Sequence, residues 1–208
     1  MRYPRELSPD FGPAGPHETE SSSVRDRNNR VCPVERAGGL DNRIRRWLHN
    51  PQKILGPYVK EGMTVMDVGC GPGLYAIEMA LMVGESGKVI AADLQDGMLE
   101  LVRKKIAGTE VESRVKLHKC EKDTLALSDD MDFVIAFYMV HELPDQSAFF
   151  GEIHAHLKPR GLLLVVEPPF HVSKAEFGET INRAKRVGLE ITDQPRVMLS
   201  KTALLRKM

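Results

Sequence analysis

Residues 64–73 read Thr64-Val65-Met66-Asp67-Val68-Gly69-Cys70-Gly71-Pro72-Gly73. Thr64–Val68 is a short β-rich run. Leu74–Val83, which follows the glycines, is apolar almost all round, with only Glu78 charged. A strand should therefore pass into a deeply packed helix through a loop of glycines. Glycines at such a junction permit a tight turn and let a ligand approach the backbone.

The spacing of that loop narrows the ligand. It is Gly-x-Gly-x-Gly, whereas the dinucleotide fingerprint is Gly-x-Gly-x-x-Gly/Ala. The last fingerprint position falls on Leu74, which is too bulky for the close helix–strand contact that glycine provides, so a pyrophosphate is disfavoured. Asp67, two residues before Gly69, points the same way. A carboxylate there would repel a phosphate and attract an ammonium or a sulfonium. A second acid, Asp93, ends the next strand 20 residues after Gly73. Placed there, it can accept hydrogen bonds from both hydroxyls of a ribose. The structural alternative for either acid is a helix cap.

Working outward, strands and helices alternate. Lys88–Ala92 reads as the second strand, and Met98, Leu101, Val102 and Ile106 mark an amphipathic helix. Val115–His118 is a third strand. Phe133–Phe137 is a fourth, apolar throughout and therefore central. Phe149, Phe150, Ile153 and Leu157 define a helix stopped by Pro159 and Gly161, and Leu162–Val166 is the fifth strand. Phe177, Ile181 and Ala184 mark a last helix ending near Gly188, before weak strands at Arg196–Leu199 and Ala203–Leu205. This order predicts a three-layer, doubly wound α/β domain with a mostly parallel sheet and helices on both faces. In such sheets ligands sit beyond the carboxyl ends of the strands. The loops after Val68, Ala92, His118, Phe137 and Val166 are therefore the ones that matter.

Upstream of the sheet, Asp41 reads as a cap before Ile44, Trp47 and Leu48 on one helical face. Asn50-Pro51 reads as the cap and first position of another helix carrying Ile54 and Leu55. Residues 31–60 are thus expected to form a helical cover at the start of a domain spanning 31–208. Residues 1–30 contain four prolines, a Ser21-Ser22-Ser23 run and few apolar side chains, which predicts a flexible arm.

Composition sets outer bounds. The chain has 208 residues, with 29 Lys+Arg against 29 Asp+Glu. A zero net charge supplies no global attraction to nucleic acid or to an anionic membrane. No apolar run approaches a bilayer span, and the N-terminus lacks an apolar signal region. Cys32, Cys70 and Cys120 make neither a zinc spacing nor a disulfide framework. A reduced, cytoplasmic setting without a metal site is expected, and oligomeric state is not legible.

Taken together, the Asp67–Gly73 loop, Val89-Ile90-Ala91-Ala92-Asp93, Asp96-Gly97-Met98-Leu99 and Leu157-Lys158-Pro159-Arg160-Gly161 resemble a class I S-adenosylmethionine-dependent methyltransferase of the small-molecule type. The resemblance covers Val31 to the C-terminus and implies a seven-stranded sheet with an antiparallel last strand. It places the backbone of Gly69, Cys70, Gly71 and Gly73 against the methionine part of S-adenosylmethionine. It gives Asp67 to the cofactor's amino group, Asp93 to the ribose, and Leu94 and Met98 to the adenine. The family's loop after the third strand usually reads Gly-Asp-Ala; here it reads Cys120-Glu121-Lys122. Glu121 therefore stands at the position that accepts from the adenine amino group, and the Lys122 backbone faces the ring. Phe137 and Tyr138 fall where family members flank the sulfonium, and an aromatic face near a cation is favourable by about 0.5–2 kcal/mol.

Methyl transfer is an in-line displacement that depends chiefly on alignment. A base is needed only where the accepting atom carries a proton. His141, in Phe137-Tyr138-Met139-Val140-His141-Glu142-Leu143-Pro144, is the candidate base and catalytic residue, with Glu142 or Glu167 to orient it. Glu167 and His171 could also line the pocket. Methyltransferases acting on nucleic-acid amino groups carry an Asn/Asp-Pro-Pro-aromatic loop after the fourth strand. Ala136-Phe137-Tyr138-Met139 stands there instead, and Glu167-Pro168-Pro169-Phe170 follows the fifth. A small-molecule acceptor, rather than a nucleic acid or a membrane, is the expected partner. The rival readings are an NAD(P)-dependent oxidoreductase and a non-catalytic cofactor-binding protein.

Overall fold

The structure, a computed structural model, describes residues 50–208. The expected arm at 1–30 and the first cover helix, with Cys32, Asp41, Ile44, Trp47 and Leu48, lie outside the described residues. Helix α1 spans Pro51–Leu55. The Asn50 side chain caps it by accepting from the Lys53 amide, Pro51 opens it and Gly56 closes it. This is the predicted cap-and-proline start.

Strands and helices then alternate. They run β1 Thr64–Val68, α2 Leu74–Met82, β2 Lys88–Asp93, α3 Asp96–Ile106, β3 Val115–Lys119, β4 Met131–Phe137, α4 Gln146–His156, β5 Leu157–Glu167, α5 Lys174–Arg186, β6 Leu189–Asp193 and β7 Lys201–Lys207. The seven strands form one sheet in the order β3-β2-β1-β4-β5-β7-β6. The first five pair in parallel, and β7 runs antiparallel to both β5 and β6. The order reverses between β1 and β4, the switch point at which ligands sit in such sheets.

The side-chain period of two divides the core into two layers. Along β4, Phe133, Ile135 and Phe137 pack towards α2 and α3, while Val134 and Ala136 pack towards α4 and α5. Burial on both faces is why this strand reads as an unbroken apolar run.

Two boundaries differ from the sequence reading. Arg196–Leu199 is not a strand. The sixth strand is Leu189–Asp193, and residues 194–200 form the loop into β7. Val197 alone of that stretch's apolar residues is buried, while Met198 and Leu199 are exposed, so its apolar content serves a loop anchor. Leu157 is also not the last residue of α4 but the first of β5. The β4–β5 register shifts between Met131↔Leu157 and Phe133↔Leu162. The extra residues Lys158–Gly161 are taken up in an irregularity where Arg160 has φ +65°. Pro159 and Gly161, read as a helix stop, mark that bulge instead. Among the described residues no helix is long and apolar enough to cross a membrane.

Candidate functional site

The three glycines after β1 all adopt left-handed backbone, with φ +68° at Gly69, +51° at Gly71 and +87° at Gly73. Each answers a different need. A Cβ on Gly69 would lie 3.0 Å from Cγ of Met139, so the loop after β4 closes directly on this residue. A Cβ on Gly73 would lie 2.9 Å from Cγ2 of Val102, so this glycine lets α2 and α3 approach. A Cβ on Gly71 would meet nothing within 4 Å. The loop thus leaves open space over one bare peptide, as a ligand-cradling backbone requires. The Cys70 amide donates to the Ala92 carbonyl at 2.9 Å, and Lys105 Nζ donates to the Pro72 carbonyl at 2.7 Å.

Asp93 ties this loop to the end of β2. Its Oδ2 accepts from the Gly71 amide at 2.9 Å and its Oδ1 from the Gln95 amide at 2.8 Å. The carboxyl group is 7% exposed, and burial raises its pKa against the opposing pull of those backbone bonds. Each carboxylate oxygen has a second lone pair, so both can still accept from a ligand's hydroxyls. Asp67 is buried beneath the loop, and its Oδ2 accepts from the Ala76 amide at 2.9 Å. Through this oxygen it holds the start of α2, as the helix-cap alternative expected. Cys70 and Cys120 are free and buried. Burial, reinforced by Asp67 and Asp93, pushes the Cys70 thiol well up, and burial pushes Cys120 up to about 12. Neither is a poised nucleophile.

Leu94 and Met98 follow Asp93, Leu94 exposed and Met98 buried at the start of α3. The Cys120 amide donates to the Asp93 carbonyl at 3.0 Å, which brings the start of the β3–β4 loop beside the same acid. Glu121 and Lys122 come next with exposed side chains. The loop is held from α4. Oε2 of Glu152 accepts from Thr124 Oγ1 at 2.8 Å and from the Leu125 amide at 2.9 Å, and the Glu121 amide donates to the Thr124 carbonyl at 3.0 Å.

On the other side of the switch point, the Phe137 ring lies 4.5 Å from that of Tyr75 and 4.4 Å from that of Tyr138, centroid to centroid. Tyr138 has φ +62°, unusual for a bulky residue. Its amide donates to the Val166 carbonyl at 2.8 Å, and its hydroxyl pairs with Ser200 Oγ at 2.6 Å.

The turn Val140–Glu142 carries the candidate base. Glu167, at the end of β5, accepts from the His141 amide at 2.9 Å through Oε1 and meets Nδ1 at 2.6 Å through Oε2. The His141 side chain is 27% exposed and that of Glu167 1%. The hydrogen bond from Glu167 raises the His141 pKa; burial opposes it, and the charges of Glu167 and Glu142 reinforce it. Burial lifts Glu142 to about 6; His141 pulls it back, and Glu167 and Asp93 push it further up. The rings of His141 and His171 lie nearly parallel with centroids 6.5 Å apart.

The loops after β1 to β5 are thus stitched into one site, through Cys70–Ala92, Gly71–Asp93, Cys120–Asp93, Gly69–Met139, Tyr138–Val166 and His141–Glu167. Among the described residues no group of three or more His, Cys, Asp or Glu could hold a metal ion. Sequence reasoning missed Met139, Ser200 and Glu152. Met139 reads as one more core residue, and Ser200 and Glu152 reach the site from elements distant in the chain.

A family model described as "Methyltransferase domain" matches residues 65–161. A ubiquinone/menaquinone biosynthesis C-methyltransferase (UbiE) of Marinomonas sp. is 32% identical over 110 residues, 52% of this chain and 44% of that protein. A demethylmenaquinone methyltransferase of Lactobacillus johnsonii is 34% identical over 110 residues, 52% of this chain and 45% of that one. The chain spans about half the length of the curated relatives it matches. The crystal structure of a SAM-dependent methyltransferase from Aquifex aeolicus superposes with a TM-score of 0.74 at 26% identity, covering 85% of this chain and all of that one. Residues 65–161 thus match a methyltransferase domain, and the chain resembles the class I S-adenosylmethionine-dependent methyltransferases in fold and site. The cofactor of that family is S-adenosylmethionine, and the open space over Gly71 beside the Asp93 carboxylate fits it.

Proposed function

We propose that the chain transfers a methyl group from S-adenosylmethionine to a small molecule whose accepting atom gives up a proton. The observation that carries this reading is the pairing of Asp93 with Gly71. It puts a ribose acceptor and a bare, open peptide side by side at the switch point. Asp93 would hold the ribose, the Gly69–Gly73 backbone the methionine part, Leu94, Met98, Glu121 and Lys122 the adenine, and Phe137 and Tyr138 the neighbourhood of the sulfonium. Asp67 would help hold the cofactor's amino group, directly or through water, while fixing the loop through Ala76. The bound cofactor supplies a methyl group already activated on a sulfonium. The protein aligns the acceptor, a contribution on the order of 7–11 kcal/mol.

His141 would take the acceptor's proton. With Nδ1–H donating to Glu167, the neutral ring carries its lone pair on Nε2, the atom that can act as base. Glu167 would orient the ring and stabilise the imidazolium that forms, while Glu142 stands beside it. The names of the relatives make demethylmenaquinone the first acceptor to test. The balanced charge of the chain and the absence of the nucleic-acid type loop after β4 support a small molecule over a nucleic acid. The two free buried thiols support a reduced, cytoplasmic setting.

The test is calorimetry with S-adenosylhomocysteine and NADH, followed by a mass-spectrometric methylation assay on a soluble demethylmenaquinone analogue held in its reduced, quinol form, whose hydroxyl proton and electron-rich ring the proposed transfer requires. Binding of S-adenosylhomocysteine and a gain of one methyl group are expected. Binding of NADH alone would replace this reading with an oxidoreductase. S-adenosylhomocysteine binding with turnover indifferent to His141→Ala would remove the base.

A further inference from the structure

Tyr138 holds a conformation that a bulky L-residue rarely adopts, φ +62° at the tip of β4. Strain of this kind persists only where the surroundings over-determine it. Here the residue is tied at both ends. Its amide donates to the Val166 carbonyl, and its hydroxyl pairs with Ser200 Oγ at 2.6 Å across 62 residues of sequence.

Ser200 is itself fixed. Its amide donates to the Val197 carbonyl at 2.9 Å, and Val197 is buried in the same core layer as Phe137. The hydroxyl of the next but one residue, Thr202, donates to the Pro195 carbonyl across the loop. Lys201 Nζ donates to the Pro169 carbonyl at 3.1 Å and so ties this loop to the one that follows Glu167. The 194–200 loop is therefore tied to itself and to the start of β7, and it meets the Tyr138 hydroxyl through Ser200.

We infer that Ser200 is a positioning residue: its hydroxyl holds the Tyr138 ring in place as one wall of the donor site. The inference rests on the proposed methyltransferase reading and extends it to the C-terminal hairpin. A ring held over a sulfonium favours the charged cofactor over its neutral thioether product. Ser200 should therefore act on the discrimination between S-adenosylmethionine and S-adenosylhomocysteine more than on affinity in general.

The test is calorimetric titration of both ligands into the full chain and into Ser200→Ala, Tyr138→Phe, the double variant and Ser200→Thr. Thermal unfolding is measured in parallel. Ser200→Ala and Tyr138→Phe are each expected to weaken S-adenosylmethionine about 3–10-fold. S-adenosylhomocysteine should change less than about 2-fold, the double variant should be no worse than either single one, and Ser200→Thr should restore the wild-type ratio. Effects that multiply in the double variant, equal losses for both ligands, or wild-type affinity in Ser200→Ala would each overturn the inference while leaving the methyltransferase reading intact. Wild-type protein that binds neither ligand would overturn both.

Discussion

Glu167 grips His141 twice, at the main-chain amide through Oε1 and at Nδ1 through Oε2. The two residues come from different strands' ends, β4 and β5, which are paired along Phe137↔Val166. The sheet register sets the two strand ends side by side, and the Val140–Glu142 turn after β4 carries His141 onto Glu167. Glu167 is buried and His141 only partly so, so the pair presents the imidazole outward with its carboxylate partner behind it. That is the arrangement of an oriented base.

Removing either partner should have separable effects. His141→Ala is expected to lower kcat by about 10²–10⁴-fold on a proton-bearing acceptor while changing the S-adenosylhomocysteine Kd little. Glu167→Gln keeps an acceptor for Nδ1–H but loses the charge. The His141 pKa then falls, and the rising limb of the pH–rate profile should move to lower pH with a smaller loss of kcat. A profile unmoved by Glu167→Gln would show that the carboxylate does not tune the ring.

Glu142 adds a second pH dependence, of stability. Its folded pKa is about 6 against an ordinary 4.5, so the folded state favours the protonated carboxyl. Stability from this group is full below about pH 4.5 and is lost as pH rises through 6. The group is only partly buried, and after allowance for solvent screening the loss is about 1 kcal/mol. His141, with its raised pKa, contributes in the same sense over a higher window, full below about 6.5 and lost above. Glu142→Gln should flatten the pH 4.5–6 part of the unfolding curve and shrink the higher part only slightly, because the Glu167 hydrogen bond is the main cause of the raised His141 pKa. Urea titrations across pH 4–8 measure both.

The sequence carried most of the frame because the decisive signals are local. The glycines announce their turn, and β4 and β5 announce burial on both faces through unbroken apolar runs. Asn50-Pro51 announces a helix start. The errors fell where a local signal has two meanings. Pro159 and Gly161 stop a helix in one context and bulge a strand in another, and only the β4–β5 register separates them. Arg196–Leu199 looks like a strand because one buried residue, Val197, sits among exposed apolar ones. In the site, the acids of the βα loops were legible. That one oxygen of Asp67 would be taken by a backbone amide was not, since that amide belongs to Ala76, the third residue of α2 and nine residues on. Glu152 and Ser200 were invisible because their relevance arises only when distant segments fold against the β3–β4 loop and Tyr138.

Asp93 offers the most direct test of cofactor binding. Asp93→Ala removes the acceptor for two backbone amides, those of Gly71 and Gln95, as well as the proposed ribose acceptor. Losing a buried hydrogen-bond partner costs about 1–3 kcal/mol, so S-adenosylhomocysteine affinity is expected to fall at least about 10-fold, with a lower unfolding midpoint. Asp93→Glu keeps the charge and misplaces it, and should lose affinity with a smaller change in stability. Wild-type affinity in either variant would remove Asp93 from the site.

Gly71 and Gly73, two residues apart, should fail in opposite ways when given a methyl group. Both have positive φ, so alanine carries a backbone cost of roughly 1–2 kcal/mol at either position. At Gly73 the new Cβ would also press on Val102, at 2.9 Å from Cγ2 and 3.3 Å from Cγ1. The packing between α2 and α3 must then shift, at a further cost of about 1–3 kcal/mol. At Gly71 the Cβ enters open space, so nothing in the protein resists it, and it stands where the ligand's methionine part is proposed to lie. Gly73→Ala should therefore lower the unfolding midpoint by several degrees more than Gly71→Ala. Gly71→Ala should lose more S-adenosylhomocysteine affinity than its small loss of stability explains. Paired thermal melts and calorimetry on the two variants decide it. A Gly71→Ala protein that binds normally would mean that the open side of the loop faces solvent and not the cofactor.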